Sequence, residues 1–181
     1  VRFAYFDTKI LKREGAEQDY TAEELEKVEA LDKVITEAEK DDLVDTIIVK
    51  TQGFVNGNIK EGDKNPVSIF RNLLALYKGI DRDQLRENMR YFLAAIMPVC
   101  EEYGVNMCVH PDDPPFQILG LPRIVTDGED IAWFLNAVDN PHNGLTFCAG
   151  SLSAGEHNDT RELAKRFAKR THFVHLRSTK A

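Results

Sequence analysis

The sequence has few cysteines, no excess of positive charge and no long apolar run. Its three cysteines stand at positions 100, 108 and 148. This odd number at irregular spacing excludes a disulfide scaffold and favours a reducing, cytoplasmic compartment. Acidic residues outnumber lysine plus arginine by 30 to 23, so the formal charge is −7 and nucleic acid is not an expected partner. No stretch approaches the roughly 18 apolar residues of a membrane span, and no signal peptide opens the chain, so no membrane association is expected.

The first part of the chain, residues 1–80, is polar and predicted to be rich in helix. Thr21 and Glu24 have the spacing of a capping box, and apolar residues then recur at helical intervals. This pattern predicts a helix over residues 21–40, with its extension through Ile48 left open. Glycines among Asn, Asp and Lys predict a long loop over residues 52–66. We treat this segment as part of the same domain as the rest of the chain.

Residues 81–181 alternate between helix and strand patterns. Asp81 and Gly104 bracket a predicted helix, and two further helices are predicted to open at Thr126 and Asp159. Short apolar runs predict strands over residues 105–109, 145–149 and 172–176. This alternation is typical of an α/β fold with a parallel sheet, either an open sheet or a barrel. No glycine-rich phosphate loop follows any of these strands, which disfavours Rossmann and P-loop folds.

The predicted strands end in residues that bind metals. In a parallel α/β protein the carboxyl ends of the strands form the active face. Because side chains alternate along a strand, His110, Cys148 and His175 are expected to share one face at three successive strand ends. Two imidazoles and a thiolate suit a divalent transition metal, and the three residues therefore predict a metal site. His142, His157 and His172 lie in loops or on the opposite face, outside this group.

Two other features near the strand ends have two interpretations each. Arg177 points the same way as His175 and either binds a substrate carboxylate in a bidentate fork or forms a strand-end salt bridge. The acidic, proline-rich loop HPDDPP over residues 110–115 either supplies a carboxylate that orients His110 or hydrogen-bonds a polyol, or it is a turn with an Asx cap.

Several longer motifs resemble those of the mannonate dehydratase family in their residues and in their order along the chain. The resemblance covers almost the whole chain and is strongest from Asp81 to Ser178. The motifs in that region are HPDDPP (110–115), ILGLPRIV (118–125), LTFCAGS (145–151) and FVHLRS (173–178). Shorter matches lie upstream, at ILKR (10–13), GAE (15–17), LYK (76–78) and LREN (85–88).

The resemblance implies part of a (β/α)8 TIM barrel of the xylose-isomerase-like type, with a helix-rich N-terminal segment. It implies dehydration of D-mannonate, a small sugar acid, to 2-keto-3-deoxy-D-gluconate in hexuronate catabolism, with Mn(II) or Fe(II) as cofactor. The family's metal ligands fall on His110, Cys148 and His175, the residues that the strand-end argument had already chosen. The resemblance leaves the oligomeric state open, a homo-oligomer included.

The chain also departs from the family in its extent. A complete barrel needs eight strands and about 250 residues, whereas three strands are predicted here. An Arg-Pro-Asp-His-Gly motif, which in the family supplies a carboxylate ligand and a catalytic histidine, is absent from these 181 residues. We therefore expect a partial chain that is inactive alone, and the general acid and base stay unassigned. The alternatives are a metal-dependent sugar isomerase on the same barrel, which Cys148 disfavours, and a non-catalytic fragment.

Overall fold

The computed structural model of the protein describes residues 1–50 and 65–179. By its internal contacts the chain forms two compact units. The first comprises Val1–Gly79 together with Leu119–Leu121, and the second comprises Ile80–Ile118 and Pro122–Ala181. The loop predicted over residues 52–66 lies almost entirely outside the described residues.

The described part of the first unit is helical. Its α-helices are α1 (Arg2–Tyr5), α2 (Ala22–Asp32), α3 (Glu37–Val44) and α4 (Pro66–Ala75). This unit also contains two π-helical segments and a 3-10 turn. They are Phe6–Leu11, Asp45–Lys50 and Ala16–Asp19, respectively. Apolar residues from the π-helical segments and α4 form one buried cluster: Phe6, Leu11, Ile48 and Phe70, with Leu119 from the later loop.

The prediction of one continuous helix over residues 21–40 is wrong. Thr21 does cap α2 in a full capping box with Glu24, as predicted. The helix nevertheless ends at Asp32, because a second capping box, formed by Thr36 and Glu39, begins α3. A Thr side chain bonded to the amide three residues ahead starts a new helix instead of continuing the old one.

The second unit begins with the longest helix. Helix α5 (Arg82–Tyr103) starts after Asp81, whose side chain accepts from the Gln84 amide, and ends at Gly104 in the left-handed conformation, both as predicted. Helices α6 (Gly128–Ala137), α7 (Ala149–Ser153) and α8 (Thr160–Phe167) follow. Asp159 caps α8 as predicted, but α6 is capped by Asp127 and not by Thr126.

Among the described residues of the second unit, three parallel strands form a sheet in the order β1 (Met107–Val109), β2 (Asn143–Cys148) and β3 (Thr171–His175). The predicted parallel α/β arrangement is therefore confirmed, with strand limits that shift by one or two residues. Val109 pairs with Leu145, and Cys148 pairs with His175. Every residue of β2 is buried, because it is the central strand.

Apolar residues of β2, α6 and α8 form the core that holds this sheet in place. Ile131 and Phe134 from α6 pack with Leu145 and Phe147 from β2 and with Phe167 from α8. Burial of these large side chains stabilises the unit by about 1.5–3 kcal/mol each. The core therefore fixes the strand ends, where the candidate site lies.

One buried carboxylate ties α5 to α6. Asp130 is 1% exposed and accepts from the amide and hydroxyl of Thr126, at 2.9 and 2.7 Å. Arg86 donates to it at 2.6 Å, and Arg82 also contacts it. Although burial alone raises the pKa of Asp130, the hydrogen bonds from Thr126 and Arg86 and the charge of Arg82 lower it overall. The ionised carboxylate thus stabilises the fold.

Asp130→Ala is expected to destabilise the full-length protein by about 3 kcal/mol, because it leaves two arginines without their shared partner. Because the pKa of Asp130 is lower in the folded state, its stabilisation is present above the unfolded value of about 3.9 and is lost as the pH falls below it. Urea unfolding followed by circular dichroism at several pH values measures both effects. The matched control is Asp139→Ala, since Asp139 is 78% exposed in its pair with Arg170 and is worth under about 1 kcal/mol. Equal midpoints for the two variants would contradict the prediction.

Candidate metal centre

His110, Cys148 and His175 meet at the carboxyl edge of the sheet. Cys148 is the last residue of β2 and pairs in register with His175, the last residue of β3. His110 directly follows β1. Potential ligand atoms of the three side chains all lie within 4.8 Å of one another. The predicted convergence therefore occurs, because parallel strands in register place equivalent ends at one level.

The two histidines are exposed, whereas Cys148 is fully buried. The Nδ1–H of His110 donates to the carbonyl oxygen of Pro111 at 2.6 Å, which leaves Nε2 as the ring nitrogen with a free lone pair. Nδ1 of His175 lies 3.6 Å from the Cys148 sulfur, and the two imidazole rings are 6.1 Å apart. The site thus combines two exposed imidazoles with a buried sulfur.

The Cys148 sulfur is surrounded by hydrogen-bond donors. The hydroxyl and the amide of Ser151 donate to Sγ at 3.2 and 3.5 Å, and Nε of Arg177 donates at 3.4 Å. Although burial alone raises the pKa of Cys148, the donors and the nearby His110 lower it to about 6. The thiolate, which is the metal-binding form of cysteine, is therefore the favoured form at neutral pH.

This donor set fits a divalent transition metal. Imidazole and thiolate suit such ions, and three protein ligands leave positions open for substrate. Two ligand atoms bonded to one ion at about 2.0–2.3 Å lie at most about 4.6 Å apart, close to the spread of 4.8 Å seen here. It is the one such group of three or more His, Cys, Asp and Glu side chains within residues 1–50 and 65–179.

Arg177 lies beside the metal-type residues. Besides the Cys148 sulfur, its guanidinium contacts the Ser151 hydroxyl at 2.8 Å and the Asp113 carboxylate, both through Nη2. Nη1 donates to none of the described residues. The predicted contact with a substrate carboxylate stays a prediction, for which Nη1 offers free donors.

The acidic loop after β1 contains two aspartates with different partners. Asp112 accepts from the amides of Ile124 and Val125, 12 and 13 residues further along the chain, at 2.8 and 2.9 Å. Asp113 contacts Arg177. The carbonyl of Pro111, and neither carboxylate, is the partner of His110. The contacts of Asp112 are therefore tertiary ones, and they correspond neither to a carboxylate that orients His110 nor to a local Asx cap.

Ser151 is not among the predicted site residues. The strand was predicted to extend through residue 149, whereas α7 begins at Ala149 and turns Ser151 back onto the sulfur. The usable signal was a serine three residues after Cys148, the spacing of a capping contact.

The other three histidines lie outside the site, as predicted: His142 contacts Asn106, His172 contacts the carbonyl of Pro141, and His157 faces Asp127. No helix in the described ranges has the length and apolar character of a membrane span.

Comparison with known proteins identifies the family. The family model described as D-mannonate dehydratase matches residues 6–181. Mannonate dehydratases from Chromohalobacter salexigens and a Marinomonas species are each 41% identical to this chain over 98% of it. The chain spans 44% of the length of each of these relatives.

A solved structure supports the same family assignment. The crystal structure of mannonate dehydratase from Streptococcus suis matches 68% of this chain and 35% of its own chain, with a TM-score of 0.55 and 36% sequence identity. The fold prediction, part of a TIM barrel, is confirmed by this likeness. The chain belongs to the mannonate dehydratase family.

Proposed function

We propose that the full-length protein carrying this chain dehydrates D-mannonate to 2-keto-3-deoxy-D-gluconate and water, as a step of hexuronate breakdown. The observation that supports this most directly is the meeting of His110, Cys148 and His175 at the carboxyl edge of the sheet. Membership of the family supports the same reaction.

The reaction removes a proton from the carbon next to the carboxylate and expels the hydroxyl group of the following carbon. The enol that remains loses its hydroxyl proton, is protonated at the carbon that lost its hydroxyl group, and so becomes the 2-keto acid. The net change is the loss of one water molecule from the substrate. Both steps are difficult, since the proton is weakly acidic and hydroxide is a poor leaving group. A general acid and a general base are therefore required.

His110, Cys148 and His175 would hold the metal, with Mn(II) or Fe(II) as the proposed ion. When bound, such an ion acts as a Lewis acid toward oxygen atoms of the substrate. The residues of this chain supply the rest of the local chemistry. The exposed imidazoles leave the site open to a sugar acid, and the low pKa of Cys148 keeps its sulfur anionic without a separate base.

Arg177 is proposed to bind the substrate carboxylate through Nη1. Its Nη2 and Nε are already held by Asp113, Ser151 and the Cys148 sulfur, so the guanidinium is preorganised at the edge of the site. An oriented charge of this kind lowers the entropy lost on binding a small anion. The general acid and base are proposed to come from residues of the full-length protein that follow this chain.

Chelation of the full-length protein is expected to abolish mannonate turnover, and Mn(II) or Fe(II) is expected to restore it. The assay measures formation of the 2-keto acid with semicarbazide, under reducing conditions that protect the thiolate. D-Gluconate, which differs from D-mannonate only at the carbon that loses its proton, is the matched control substrate. Undiminished turnover after complete metal removal would refute the proposed metal centre. Conversion of a sugar to its isomer, without loss of water, would favour the isomerase alternative.

A further inference from the structure

The Cys148 sulfur is the acceptor of several hydrogen bonds. Three donors from two side chains and one backbone amide lie within 3.5 Å of it. Ser151 is fully buried, and so is Cys148. A hydroxyl placed in such a position is costly unless it is hydrogen-bonded, so its orientation is defined by its partners.

Those partners fix where the hydroxyl proton of Ser151 points. Nη2 of Arg177 donates to the Ser151 oxygen at 2.8 Å. Because arginine has no acceptor, the single hydroxyl hydrogen of Ser151 is left for the sulfur, 3.2 Å away. Arg177 therefore orients Ser151 and also donates to the sulfur directly through Nε.

The backbone around Cys148 is shaped to admit the arginine. A Cβ atom at position 150 would lie 2.4 Å from Cγ and 2.7 Å from Nε of Arg177, so only glycine leaves room for this side chain. Asp113, from the loop after β1, holds the far end of the same guanidinium. Segments that follow all three strands thus meet at the Arg177 guanidinium, which donates to the sulfur.

We propose that Ser151 and Arg177 are positioning residues that fix the Cys148 sulfur toward His110 and His175. A cysteine side chain places its sulfur by one torsion with three staggered positions. Donors on one side of the sulfur select one of them, so the ligand is in place before the metal binds. This inference rests on the metal centre of the proposed function.

The test is Co(II) binding to the full-length protein, followed by the thiolate-to-cobalt absorption band in the near ultraviolet. Ser151→Ala is expected to weaken Co(II) binding about tenfold, the lower end of the effect of groups that orient metal ligands, and to shift the band. Ser153→Ala is the matched control, because Ser153 lies on the same helix and donates to the Gly150 carbonyl instead. An affinity and a band unchanged from wild type in Ser151→Ala would overturn the proposal.

Arg177→Gln provides a second test that does not depend on a buried substitution, because the Arg177 side chain is 38% exposed. It is expected to weaken Co(II) binding as well. The double variant should lose less than the product of the two single effects, since both residues act through one hydrogen-bonded pair. The shared role would be overturned if the double variant lost Co(II) affinity by the full product of the two single losses. It would also be overturned if Arg177→Gln bound Co(II) with wild-type affinity.

The outcomes separate this inference from the proposed function. If the wild-type protein gives no thiolate-to-cobalt band, the metal centre itself is wrong. If the band is present and insensitive to Ser151 and Arg177, the metal centre stands and the positioning role fails.

Discussion

Cys148→Ser is expected to lower the metal affinity of the full-length protein by about 100-fold or more, since loss of a ligand exceeds the effect of the groups that orient it. The substitution replaces a sulfur whose pKa is lowered to about 6 by a hydroxyl that stays protonated at neutral pH. Of the three metal-type side chains of this chain, only the two imidazoles are then left for the ion. Dialysis against Mn(II), followed by metal analysis, measures the loss, and turnover of D-mannonate should fall with it.

The matched control for this experiment is Cys100→Ser. Cys100 is also buried, but it lies on α5 in a small apolar cluster with Leu93 and Met97. Its replacement is expected to cost stability through the buried hydroxyl, while metal content stays at the wild-type level. Equal metal content in the Cys148 and Cys100 variants would return Cys148 to the role of a buried apolar residue.

The convergence of the three candidate ligands could be predicted from sequence because it follows from strand periodicity. A residue at the end of each parallel strand is placed by the sheet itself, with no need to know any loop conformation. An error of one or two residues in the strand limits does not matter here. The predicted strand covered residues 145–149, β2 covers Asn143–Cys148, and Cys148 lies at the carboxyl end in both. The predicted site therefore tolerated imprecise strand limits.

The environment of the sulfur could not be predicted in the same way. Ser151 reaches Cys148 only because α7 begins immediately after β2, which depends on the backbone conformation of a few residues. The break between α2 and α3 is a similar case. The apolar pattern continues across it, and the local capping contact of Thr36 decides the outcome.

The different partners of the two aspartates in the acidic loop could not be predicted from the sequence either. Asp112 and Asp113 are adjacent and chemically identical, yet one binds backbone amides and the other binds Arg177. Which aspartate faces which way depends on the path of the loop from β1 to residue 125. Tertiary contacts, and not residue type, assign the two roles.

The second unit exposes an apolar edge strand. Within the described residues the sheet has three strands, with β1 and β3 at its edges. Phe173, Val174 and Leu176, in and just after β3, are 59%, 52% and 80% exposed. An apolar edge strand of this kind is a template for aggregation unless another element covers it. The curated relatives, of which this chain spans 44%, have further length to supply such elements.

The 181-residue chain expressed alone is therefore expected to aggregate, or to bind a dye for exposed apolar surface, and to show no turnover of D-mannonate. The full-length protein is expected to be monodisperse and active with Mn(II) or Fe(II). Size-exclusion chromatography and the 2-keto acid assay, run on both forms side by side with added metal and a reducing agent, measure the two effects. The reason for the expected lack of turnover is that the described residues bring together three metal-type side chains, whereas the general acid and base are proposed to lie elsewhere in the full-length protein. Measurable turnover by the short chain would show that the essential acid and base lie within it, and would contradict their assignment to residues elsewhere in the full-length protein.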